Sequence, residues 1–143
     1  MYHFKNIHIG ELICQKVKEN QIDEARICNF LYCNEKEIAE MYSSKSLDTE
    51  ILLRWSKLLE YDFFRIYSQH IILYSPSTRL DNKSLKMESA LPRFRKNIYT
   101  KEIIDFILDL VTTGEKTKKQ IVEEYSIPKT TLYKWIDKYS HHK

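Results

Sequence analysis

Glycine is nearly missing from this chain. Its two glycines, Gly10 and Gly114, lie about a hundred residues apart. A dinucleotide fingerprint or a phosphate loop needs two or three glycines in one short turn, so that backbone amides can approach the phosphates. Neither can be built here. Sandwiches and barrels also draw on glycine-rich turns, which argues against an all-β fold. Proline is equally sparse, at Pro76, Pro92 and Pro128.

Cysteine and histidine supply no ligand pattern. Cys14, Cys28 and Cys33 contain no CxxC pair, and an odd count closes no disulfide framework. His3, His8, His70, His141 and His142 form no HExxH or comparable pair, so neither a metal nor a cofactor is expected. Long apolar runs are also lacking, so no membrane span is expected. The opening segment MYHFKNIHIGEL has no apolar core of the signal-peptide kind. The sequence is therefore expected to belong to a cytoplasmic protein with reduced thiols.

What remains is a chain of 143 residues, 43% hydrophobic and 30% charged, with a net charge of +3. Those proportions describe a globular chain, long enough for one ordinary domain or two very small ones. The charge is unevenly spread. Residues 1–70 carry nine Lys/Arg against eleven Asp/Glu, whereas residues 71–143 carry fourteen against nine. Between the halves, residues 75–97 hold two prolines, four serines and six basic residues against two acidic ones. That stretch has no apolar periodicity and reads as a basic linker, whose Arg93, Arg95 and Lys96 could lie along a phosphate backbone.

The first half, residues 1–74, reads as a run of short helices. Ile9, Leu12, Ile13 and Val17 share one face of the first. Asp23 is placed to cap a second, through Ala25, Ile27, Cys28 and Leu31. Asn34 and Glu37 have capping-box spacing at the start of a third, with Ile38 and Met41 facing inward. Asp48 begins a fourth, where Ile51, Leu52, Trp55, Leu58 and Leu59 recur at helical spacing. The segment Phe63 to Tyr74 reads as a fifth helix, although its β-branched end could be extended. Over about residues 9–70 this order resembles the phage-repressor-like helix-turn-helix class. The resemblance implies that the helix at Asn34–Tyr42 enters a major groove. Its Glu35, Lys36, Glu37 and Glu40 make a poor surface for phosphate. A helical scaffold for dimerisation or for binding a protein partner stands beside that reading.

The second half carries the stronger signal, over residues 98–140. Thr100 is placed to cap a helix with an Ile103, Ile107, Leu110 and Val111 stripe, and Gly114 stands just past its end. Thr117 caps a short helix that buries Ile121 and Val122. Ser126-Ile127-Pro128 makes the turn, with Pro128 as first residue of the last helix. That helix buries Leu132, Trp135, Ile136 and Tyr139. Its other face presents Lys129, Thr130, Tyr133, Lys134 and Lys138, with Thr131 at the flank. A major groove about 12 Å wide admits one such helix. Its first residues can offer cations and hydroxyls to base edges, while Lys118 and Lys119 at the preceding helix start suit phosphate, helped by the helix dipole.

The stretch KKQIVEEYSIPKTTLYKWIDKY resembles the helix-turn-helix of insertion-sequence transposases and their small accessory first-frame proteins. The match is Ile121, Val122, Tyr125 and then Thr131-Leu132-Tyr133-Lys134-Trp135, with Ser126 where a glycine is usual. The resemblance implies an all-α protein of two small helix-turn-helix bundles joined by a basic linker. It implies binding to double-stranded DNA, as a transcriptional regulator or as the DNA-recognition part of a transposition system, with a homodimer or a transposase as further partner. The other reading is an adaptor, whose first half binds a protein or dimerises while its second anchors to DNA. Transposase chemistry needs carboxylates that hold two metal ions on a separate α/β domain. Asp105, Asp109 and Asp137 are isolated acids on helices, so no enzyme is expected.

Overall fold

A computed structural model describes residues 4–75, 90–92 and 99–140. Among these residues all regular structure is helical. The elements are α1 (Ile9–Asn20), α2 (Glu24–Leu31), α3 (Glu35–Ser43), α4 (Thr49–Leu59), α5 (Phe64–Tyr74), α6 (Lys101–Thr112), α7 (Lys118–Glu124) and α8 (Lys129–Ser140). No helix among the described residues is long and apolar enough to cross a membrane. The chain divides into two compact units, Met1–Ser68 and Gln69–Lys143. The division falls inside α5, whereas the sequence reading closes the first half at residue 74. Most of residues 75–97, the expected linker, lies outside the described residues, including Arg93, Arg95 and Lys96.

In the first unit the cap chemistry sets most boundaries. The Asn34 side chain accepts from the Glu37 amide at 2.9 Å, and Glu37 accepts from the Asn34 amide at 2.8 Å. Two orphan donors at the start of α3 are thus satisfied reciprocally. Asp48 accepts from the Glu50 amide at 2.8 Å at the start of α4. Asp23 does occupy the N-cap of α2, but its side chain makes no capping hydrogen bond. His8, not anticipated as a cap, accepts from the Glu11 amide through Nδ1 at 3.2 Å. The Ile71–Tyr74 end of α5 is helical rather than extended.

Tertiary contacts supply the rest of the first unit. The core gathers Ile9, Ile13, Ile27, Ile38, Leu52, Trp55, Leu59 and Phe63 from five segments of chain. Each such side chain contributes about 1.5–3 kcal/mol on burial. Trp55 is fully buried, and its indole N–H donates to the Met41 sulfur at 3.2 Å. The first amides of α1 are satisfied from a distance. Ile9 N–H donates to the Lys45 carbonyl and Gly10 N–H to the Ser44 carbonyl, both at 3.1 Å. α1 therefore lies against the chain just past α3, and Gly10 is buried at that crossing.

The second unit is built on α6, α7 and α8, with Ile103, Ile107, Leu110, Ile121, Ile127, Leu132 and Trp135 buried. Thr117 and Gln120 form a capping box at α7, at 3.2 and 2.8 Å. Gly114, just past α6, has φ of 76°, the left-handed conformation expected of a residue after a helix end. Thr100 stands at the N-cap of α6 without capping it. Its hydroxyl instead accepts from the Gln69 amide nitrogen at 2.9 Å. The final turns of α5 belong to this unit too: Leu73 is buried, and Tyr74 packs edge-on against Tyr125, centroids 5.8 Å apart.

Candidate nucleic-acid interface

The α7–turn–α8 segment positions the residues expected to meet DNA. Four residues, Tyr125, Ser126, Ile127 and Pro128, form the turn. Tyr125 ends α7, its N–H donating to the Ile121 carbonyl at 3.0 Å. Ser126 follows with φ of 53°, so the left-handed step usually taken by glycine is made here by a serine. Ile127 then buries its side chain. The Pro128 carbonyl accepts from Thr131 and Leu132 at 2.9 and 3.1 Å. Pro128 is thus the residue before the helix rather than its first, one position earlier than expected.

Leu132 and Trp135 turn inward and pin α8, with Tyr99 edge-on against Trp135 at 4.9 Å. Lys129, Thr130, Tyr133, Lys134 and Lys138 are all exposed, and Thr131 is half-buried. Asp137 is the single carboxylate in α8, two turns from its start. The face at the N-terminal end of the helix is therefore cationic and hydroxylic.

The lysines around this face differ in their partners. Lys116 pairs with Glu124, and Lys119 reaches Glu123 at 3.9 Å along α7. Lys118 instead crosses to α8, with Nζ 5.1 Å from the centroid of the Tyr133 ring. Lys129 approaches the same ring at 5.7 Å. Lys138 rests over Tyr139 at 5.3 Å. Lys118, Lys129 and Tyr133 thus form one cluster contributed by two helices. Sequence spacing placed Lys118 beside Lys119 on a phosphate-facing helix start. It could not show that the two neighbours diverge, because the Tyr133 ring comes near only when α7 and α8 pack. In the same unit, burial pushes Tyr74 up to about 12 and raises Tyr125 as well.

The first unit presents a different surface. Glu35, Lys36, Glu37 and Glu40 on α3 are all exposed. One side of the unit carries a groove of about 580 Å³, lined by His8, Glu11, Gln15, Lys16 and Tyr61 among others. Its cation is already engaged, since Lys16 pairs with Glu19 at 3.3 Å and lies 5.4 Å from the Tyr61 ring. The three cysteines are free thiols, and burial raises Cys33 away from the thiolate. Among the described residues no group of three His, Cys, Asp or Glu is placed to hold a metal ion.

The chain matches no known family model, no curated protein and no solved structure.

Proposed function

We propose that this chain is a sequence-specific DNA-binding protein that lays α8 in the major groove. Its role is that of a transcriptional regulator or of the DNA-recognition component of a transposition system, at work in the cytoplasm on the nucleoid. The observation that carries the reading is the outward face of α8. Lys129, Thr130, Tyr133 and Lys134 stand exposed on a helix anchored by buried Leu132 and Trp135. Groove-reading helices need such an arrangement, because base edges are met by hydroxyls and cations while the opposite face holds the helix in place.

The test is the salt dependence of binding to duplex DNA, followed by fluorescence anisotropy with the full chain. Each phosphate neutralised lowers the slope of log K against log salt by about 0.9. A steep negative slope, reduced in K134A and K138A, is the expected result. Binding that is absent or indifferent to salt would overturn the proposal. The acidic α3 face favours a second role for the first unit. Glu35, Glu37 and Glu40 repel a phosphate backbone, so this unit serves dimerisation or a protein partner rather than the groove.

A further inference from the structure

The next step rests on the DNA-binding reading just given and concerns which base α8 selects. Lys118 and Lys129 hold their ammonium groups 5.1 and 5.7 Å from the centroid of one ring, Tyr133, which is 45% exposed. Among the described residues neither lysine forms a salt bridge, whereas Lys116 and Lys119 each have a carboxylate partner. The quadrupole of the ring attracts both ammonium groups to it. The cluster is thereby assembled before any ligand arrives, and its side chains lose less rotamer freedom on binding.

We infer that Lys118, Lys129 and Tyr133 form a guanine-reading cluster in the major groove. The two ammonium groups are one-sided, since each donates and cannot accept, and the phenol, which can do either, adds an O–H donor beside them. Guanine alone presents two acceptors there, O6 and N7. Adenine sets its N7 beside an amino donor, cytosine offers an amino donor, and thymine has one acceptor beside a methyl group. Position separates this use from simple phosphate holding. Lys129 and Tyr133 are the first and fifth residues of α8, within the stretch of a groove-reading helix that reaches base edges. Lys118 is drawn toward the same spot by the ring and joins base reading, while Lys119 stays on the α7 side with Glu123.

The inference is tested with the full chain and a duplex selected from random DNA. Two copies of the duplex are made, one with 7-deazaguanine, which lacks N7, and one with inosine, which keeps N7 and O6 but loses the minor-groove amino group. The selected motif is expected to contain guanine, and 7-deazaguanine to weaken binding about ten-fold or more at the position read. Inosine should leave affinity unchanged. K118A and Y133A should each shrink the 7-deazaguanine penalty, whereas K119A should retain it. All of these side chains are exposed, and melting curves show whether each variant keeps its fold. Steeply salt-dependent binding that treats guanine and 7-deazaguanine alike, or a motif without guanine, overturns the cluster and leaves the DNA-binding reading standing. Absence of salt-dependent binding overturns both.

Discussion

Replacing Gly10 by alanine is expected to destabilise the first unit, against the intrinsic preference of a helix. Gly10 is the second residue of α1, and in an exposed helix the change would gain about 0.8–1.0 kcal/mol. Here the new Cβ would stand 2.3 Å from the Met41 carbonyl oxygen, 2.4 Å from that of Tyr42 and 2.7 Å from that of Ser44. These atoms are backbone and cannot rotate aside. The start of α1 must lift away, which stretches the Ile9–Lys45 and Gly10–Ser44 hydrogen bonds. Overpacking costs about 1–3 kcal/mol, and two weakened hydrogen bonds add about 0.5–1.5 kcal/mol each. Set against the helix gain, the net loss is about 1–5 kcal/mol, a large part of a small domain's stability. The chain holds two tryptophans, Trp55 and Trp135, one in each unit. In a W135F background, urea unfolding followed by Trp55 fluorescence reports the first unit alone. A midpoint that stays put or rises in G10A would refute the close-approach argument.

Three further outcomes are expected. Ser126→Gly should raise the melting temperature of the second unit, by up to about 1 kcal/mol in stability, because it relieves a left-handed serine. Ser126→Val should lower it, and calorimetry compares the two. Trp135→Ala should cost about 3–5 kcal/mol in urea unfolding monitored by circular dichroism, while Trp55 fluorescence keeps its parental midpoint. Alkali should destabilise both units. Burial holds Tyr74 and Tyr42 in the protonated form up to about 12, against 10.0 for a free tyrosine. The resulting stability is fully present below pH 10 and disappears as the pH rises to about 12, and Y74F should flatten that fall in the second unit.

Much of this architecture is written in short-range sequence, because a helix is a local structure. Asn34 and Glu37, or Thr117 and Gln120, are three residues apart, so their capping boxes follow from spacing alone. The Leu132, Trp135 and Ile103, Ile107 stripes likewise mark inward faces, and the exposed side of α8 follows as their complement. Other features exist only once distant segments meet. Gly10 reads as an indifferent helix residue until the carbonyls past α3 close on it. Thr100 has the look of a capping residue, but Gln69 takes its hydroxyl, and the last turns of α5 go to the second unit. Ser126 stands where a glycine is usual, but that a serine makes the left-handed step itself, between buried Tyr125 and Ile127, is seen only in the folded chain. Lys118 and Lys119 are adjacent and chemically identical in sequence, and only the packing of α7 on α8 brings Lys118 to the Tyr133 ring. The sequence determines helices, caps and faces because those depend on neighbours within about four residues. Tertiary structure alone assigns the partner of each exposed side chain, because that depends on which surfaces meet.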